Sequence, residues 1–359
     1  MALITTWIRS LAFLAALAVI AITASAEDTL WTTYNDAGMK ALKTGNYAQS
    51  EQLFMVGLKT AEESGAQDAH LATSLNNLGR LYYTWGKYDH AEPLYKRSQA
   101  VFEKALGANH PDVALSLNNL AALYETQGKY DQAEALYKRS LAIMEKALRA
   151  DHPDVAVSLS GLAQLYYTQG KYDQAEPLFK RSLAIDEKAL GADHPDVALS
   201  LNNLAVLYQA QGKYDQAEPL CKRSLAIQEK ALGADHPDVA HSLNNLAELY
   251  RAQGKYDQAE PLFTRSLAIR ERALDASHPD IATSLNNLAG LYQAQGKYDQ
   301  AEPLYKRSLA IFEKVLGENH AKVATSLENY AAMLKAAHRD AEAEPLLARA
   351  KAIRGKNAK

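Results

Sequence analysis

The chain repeats itself every 42 residues. Gly170, Gly212, Gly254 and Gly296 each open the phrase GKYDQAEPL, and 212 − 170 gives the period. Its unit is the stretch from Leu201 to Leu232, which returns with small edits before and after itself. A fixed period changes what 359 residues can build. Repeat arrays lengthen by adding units that touch their neighbours, not by enlarging one core.

Each unit reads as helix, short turn, helix. In the repeat from Asp112 to Ala150, Pro111 sits where a first helical residue should be and Asp112 favours the positive helix end. Val113, Leu117, Leu120, Ala121 and Tyr124 recur at helical spacing as one apolar stripe. Gly128 ends the helix, most simply in a left-handed conformation. Asp131, with Glu134 three residues on, reads as a capping box for the second helix. Glu134 and Lys138, like Glu176/Lys180 and Glu218/Lys222, are favourable i, i+4 pairs. The recurrent proline at 93, 177, 219, 261, 303 and 345 falls near the end of the first turn, where it forfeits at most one backbone bond. This frame predicts first helices starting near Leu30, His70, Asp112, Asp154, Asp196, Asp238, Asp280 and Lys322, hence eight helix pairs and an all-α chain. The first pair (27–66) and the last (322–353) are degenerate, as terminal units that face water on one side should be. Six regular repeats (67–321) lie between them, and a basic tail (354–359) follows.

At this point the residues carry a resemblance. Ala121, Tyr124, Gly128, Tyr130, Ala133 and Tyr137 are similar to the tetratricopeptide repeat, whose ordinary period is 34 residues. The longer period here, with LNNLA, GKYDQAEPL, KRSLAI and HPDVA, resembles the kinesin light chain subclass. The resemblance covers essentially everything after residue 26. It implies a right-handed α-solenoid of about eight repeats, whose first helices line a concave groove that binds peptides or protein segments. Only the repeat module is matched, so motor transport is not implied.

Residues 1–26 read differently. Leu11 to Ile22 is apolar, Arg9 precedes it, and Ala24-Ser25-Ala26 has the spacing a signal peptidase accepts. The expectation is a cleaved signal peptide and an exported chain, periplasmic or secreted. The alternative is an uncleaved membrane anchor through 4–22. Net charge is −3 with no long run of one sign, which does not suit a nucleic-acid partner. Cys221, the one cysteine, occupies the slot of Tyr137, Phe179, Phe263 and Tyr305, so it reads as a small buried hydrophobe.

No reaction can be read from the repeats. His110, His152, His194, His236, His278 and His320 come one per unit without a second ligand at i+3 or i+4, so they mark helix starts and not a metal site. No cofactor motif is present, and the chain is read as a non-catalytic scaffold. The candidate binding residues lie beside the core stripe. Asn76, Asn118, Asn202, Asn244 and Asn286 form a ladder, broken by Ser160 and Glu328. An amide offers donors and an acceptor to an extended peptide backbone of any sequence. The resemblance implies peptide contact at that asparagine. Its partner in the pair (Asn119, Asn203, Asn245, Asn287) sits at the stripe's edge, where bonding to the adjacent helix is an equal expectation. The flanking positions vary: Leu115, Val157, Leu199, His241 and Thr283 at one; Ala122, Gln164, Val206, Glu248 and Gly290 at the next; Glu125, Tyr167, Gln209, Arg251 and Gln293 at the third. With Tyr83 at the N-terminal end, these would discriminate partners by side chain. The leading reading is therefore a protein or peptide ligand held in the groove. The alternative is a self-associating structural array without such a ligand.

Overall fold

The histidine before each first helix explains where that helix begins. In the computed structural model, which describes residues 28–63 and 69–357, His152 is extended (φ −77°, ψ 139°) and its side chain accepts a bond from the Asp154 amide. The accepting atom is Nδ1, at 3.2 Å, and His110, His194, His236, His278 and His320 do the same to the residue two further on. Each histidine thus satisfies an amide that the helix itself leaves open.

Gly128 ends its helix at φ +73°. The Lys129 amide reaches the Tyr124 carbonyl at 2.8 Å and the Gly128 amide that of Glu125 at 2.9 Å, a Schellman closure that requires the left-handed residue. The second helix then starts at Tyr130, not at a cap on Asp131. Lys129 is its N-cap and makes no side-chain capping bond to the helix. The expected capping box is therefore absent: Asp131 lies in the first turn, and Glu134 turns outward to Lys138 (2.6 Å) and the Tyr166 hydroxyl (3.1 Å). The spacing of a capping box was met by residues with other partners.

Helix α1 covers 28–43, followed by α2 (Tyr47–Glu63), α3 (Ala69–Thr84), α4 (Tyr88–Leu106), α5 (Pro111–Thr126), α6 (Tyr130–Ala147), α7 (Pro153–Thr168) and α8 (Tyr172–Leu190). Then come α9 (Pro195–Ala210), α10 (Tyr214–Leu232), α11 (Pro237–Ala252), α12 (Tyr256–Ala273), α13 (Pro279–Ala294), α14 (Tyr298–Leu316), α15 (Ala321–Ala336) and α16 (Asp340–Asn357). Among the described residues these make eight consecutive helix pairs and no strand. The segment 1–26 lies outside the described residues, as does the join between the first pair and the repeats at 64–68. At the other end, α16 continues to Asn357, so most of the expected tail is helix, and Arg354 clasps Glu328 at 2.6 Å.

The chain divides into two compact units within α5, one up to Leu120 and one from Ala121 onward. In the first unit α3 packs on α4, and the Tyr82 hydroxyl donates to Glu51 of α2 at 2.5 Å. In the second unit every helix from α6 packs on its successor, and the first helices also touch one another, α7 with α9, α9 with α11, α11 with α13 and α13 with α15. They form a row of their own. Val197, Leu201, Leu204, Ala205 and Tyr208 of α9 are all buried, as the apolar stripe requires. Inside a pair, the serine of the KRS word closes the contact: Ser224 Oγ donates to the Ala198 carbonyl at 2.8 Å, and Ser266 and Ser308 repeat this. Between pairs, Tyr208 reaches Glu176, Tyr250 reaches Glu218, and Arg223 reaches Glu187 at 2.6 Å.

Two consequences are measurable. Burial, followed by the nearby Lys322 charge, pushes the His320 imidazole down to about 4, while Arg339 first and then Lys306 hold Glu302 at about 2. A histidine depressed from 6.5 is kept neutral by the fold, so its stabilisation is lost as pH falls from 6.5 towards 4. A carboxyl depressed from 4.5 stabilises above 4.5, and that contribution is lost between 4.5 and 2. Denaturant midpoints should therefore fall in two stages on acidification. His320→Asn, which keeps a capping acceptor but cannot titrate, should remove the first stage. Separately, His338 is the non-glycine residue with positive φ (59°), at the turn where other repeats place glycine. His338→Gly should raise stability by about 1 kcal/mol in the same assay.

Candidate functional site

The asparagine ladder is the first feature to locate, and its partners are asparagines. In the first unit, Asn119 Nδ2 donates to Asn76 Oδ1 at 2.9 Å and Asn77 Nδ2 to Asn35 Oδ1 at 3.1 Å. In the second, Asn287 donates to Asn244 at 2.9 Å and Asn329 to Asn286 at 3.4 Å. The second asparagine of one repeat thus binds the first asparagine of the repeat before. That matches the edge reading for Asn119 and Asn287, and it occupies the carbonyl of three ladder asparagines. The carbonyl oxygens of Asn76, Asn244 and Asn286 accept these bonds, while among the described residues the Nδ2 donors of Asn244 and Asn286 keep no protein partner. Asn118 and Asn202 are buried, at 9% and 5% exposure, and do not present to solvent. Asn202 Nδ2 instead donates to Ser242 Oγ at 3.0 Å. At the break, Ser160 turns to Ser182 (2.8 Å).

The variable positions fare differently. Tyr83 of the first unit is half-buried against Tyr88, ring centroids 6.0 Å apart. In the second unit Tyr167 lies half-buried against Tyr172, 5.8 Å apart, and Gln209 is half-buried on α9. Glu125 accepts bonds from Thr168 (2.8 Å) and Tyr137 (3.4 Å), and burial is the main cause raising its carboxyl above the usual range. His241 is exposed, with its Nδ1 3.1 Å from Arg270 Nη2.

Four predicted residues come together. Glu248 and Arg251 of α11, with Asn286 and Gln293 of α13, line one open pocket of about 550 Å³. Asn287, Gly290, Asn329 and Tyr305 complete much of its wall. Arg251 binds Glu248 through Nε and Nη2, at 3.0 and 2.6 Å to the same oxygen, leaving the other carboxylate oxygen outside that fork. Tyr305 donates its hydroxyl to Gln293 Oε1 at 2.8 Å, and burial pushes its phenol up to about 12, so it stays a neutral donor. A Cβ at Gly290 would sit 3.7 Å from the Tyr305 hydroxyl, in ordinary contact with it. Sequence reasoning assigned Tyr305 to the core. The available signal was its hydroxyl in a slot that Phe179 and Phe263 fill without one. The pocket offers charge, amides and a phenol on one face, and no nucleophile–base pair. Among the described residues no three His, Cys, Asp or Glu side chains are grouped as a metal ion would need.

The repeat profile described as Tetratricopeptide repeat matches residues 28–104, 86–146, 112–188, 154–226, 196–272 and 280–356. The chain belongs to the tetratricopeptide repeat family. Its TPR units are of the kinesin light chain-like kind. Kinesin light chain-type, nearly identical TPR-like repeats from Podosopora anserina share 34% identity over 57% of this chain and 97% of theirs, with a TM-score of 0.47. BtubC (BKLC) from P. vanneervenii shares 26% identity over 65% of this chain and 91% of its own, TM-score 0.50. The Rap conjugation gene regulator of plasmid pLS20, solved with the Phr* peptide, shares 14% identity over 79% and 74%, TM-score 0.60. No curated protein matches the chain. Among the described residues, no TPR helix is long and apolar enough to cross a membrane.

The gap in the ladder gives a test of packing. Gly161 stands where other TPR units carry the second asparagine, and a Cβ there would lie 2.5 Å from the Tyr137 ring. Gly161→Asn restores the repeat consensus, yet it should destabilise the protein by about 1–3 kcal/mol, because the ring must move. Thermal denaturation of the variant decides the sign.

Proposed function

We propose that this TPR protein is a non-catalytic interaction scaffold that binds an extended peptide or protein segment along the row of first helices. The observation that carries this reading is the open pocket between α11, α13 and α15, walled by side chains from positions that differ between repeats. Positions that hold the array recur in every unit; Glu248, Arg251, Gly290 and Gln293 do not. Asn244 and Asn286 present amide donors suited to backbone carbonyls, and the Glu248–Arg251 fork and Tyr305 suit polar side chains. The Rap regulator holds a peptide, but its likeness is one of fold, so the reading for this chain stands on these residues.

The reading predicts binding to a random peptide library in solution. Replacing Arg251 and Gln293 together by Ala should weaken the selected peptides by about tenfold or more, with helicity unchanged, as expected when interface anchors are truncated. Equal affinity at equal helicity would rule this pocket out. The self-associating alternative predicts a mass that grows with concentration in light scattering. Segment 1–26 supports export of the chain, and the mass of the exported protein tests cleavage after Ala26.

A further inference from the structure

One buried slot on the second helices changes its chemistry along the second unit. Met144, Asp186, Gln228, Arg270 and Phe312 are successive occupants at 42-residue intervals, and all are buried. Where the occupant is polar it meets the same serine of the next first helix. Asp186 accepts from Ser200 Oγ at 2.5 Å, Gln228 Oε1 accepts from Ser242 Oγ at 3.1 Å, and Arg270 Nη1 donates to Ser284 Oγ at 2.7 Å. Three successive repeats therefore carry a negative, a neutral and a positive group in one position.

Neither charge has a contact ion pair, although the nearby Asp280 carboxylate partly favours the Arg270 charge. Arg270 is 3% exposed, and its hydrogen-bond partners are Ser284, the Asp280 carbonyl and His241, none of them an anion. Among the described residues no carboxylate lies within ion-pair distance of Arg270, and no cation within that distance of Asp186. Burying an uncompensated charge is among the most costly arrangements a fold can hold. Met144 and Phe312 show that the frame accepts an apolar residue in the same place. The charges are thus not required for packing, and their fields, little screened inside the protein, extend to the surface above them.

Arg270 has a visible route to that surface. A guanidinium only donates, so His241 Nδ1 must accept, and the ring proton sits on Nε2. Although exposed, the ring sits among close neighbours. That crowding, followed by the Arg270 charge, lowers its basicity and keeps it neutral. His241 stands in the row of first helices where Val157 and Leu199 present exposed apolar side chains in earlier repeats. It therefore offers a fixed N–H donor backed by a positive charge.

We propose that this slot sets the charge class of the bound segment: a carboxylate of the peptide seats on His241 over Arg270. The inference rests on the peptide reading above and adds the charge class of the ligand. The carboxylate comes from an acidic side chain or from a peptide C-terminus.

The test uses the whole chain and a random 12-residue peptide library made both as free acids and as C-terminal amides. Wild type should select peptides with an acidic group, and replacing that group by its amide should weaken them about tenfold or more. Loss only in the amidated set assigns the site to a terminal carboxylate; loss only on Glu-to-Gln exchange assigns it to a side chain. Arg270→Met should bind the acidic and amide forms alike, while its melting temperature stays equal or rises, since methionine fills this slot at Met144. An unchanged acidic preference in Arg270→Met overturns the proposal, as does a wild type that binds peptides without regard to charge. If no peptide binds, the peptide reading fails and this inference fails with it.

Discussion

The structure depends on one constraint: a helix pair of this size cannot cover both its faces and must use its neighbour to do so. The apolar stripe supplies the attraction, but apolar packing does not fix how one pair sits against the next. Directional bonds do that. Tyr208 to Glu176 and Arg223 to Glu187 cross between pairs, and Ser224 to the Ala198 carbonyl closes each pair internally. Exposed ion pairs of this kind contribute little singly. Recurring at the junctions of the second unit, they define a register, and any residue within them is committed to the frame.

That commitment explains what was legible in the sequence. Helix starts fell within about two residues of expectation because proline and glycine act locally on φ, and the period multiplied the signal. The partners of polar side chains were less legible. Asp131 and Glu134 have capping-box spacing, yet Glu134 is claimed by Lys138 and by a tyrosine of the next pair. The histidines were placed correctly at helix starts, but the capping atom, Nδ1, could not be read from a list of residue types.

The asparagines show the same limit more sharply. Their spacing places them on a surface stripe, and an amide there suits a peptide. It suits a neighbouring amide equally well, and a neighbour 43 residues away in sequence is always present while a ligand is not. The array therefore takes the carbonyl of Asn244 and leaves the amino group. At Gly161, where the series is interrupted, the Tyr137 ring lies where a Cβ would stand. A ladder read as a binding device spends its carbonyls on joining the repeats.

The strongest signal for specificity lay below the surface, in a position that sequence periodicity marks as interior. Phe102, Met144 and Phe312 are what such a position should hold, whereas Asp186, Gln228 and Arg270 are not. A repeat array makes this deviation interpretable, because each unit is a control for the others in nearly the same surroundings. In a protein with one core, a buried arginine has no such reference, and its cost is confounded with everything around it. Here the apolar occupants show that the slot packs without charge, so three polar residues in succession call for an account outside packing. Arg270 touching an exposed His241 ties the slot to the same row of first helices that carries the pocket.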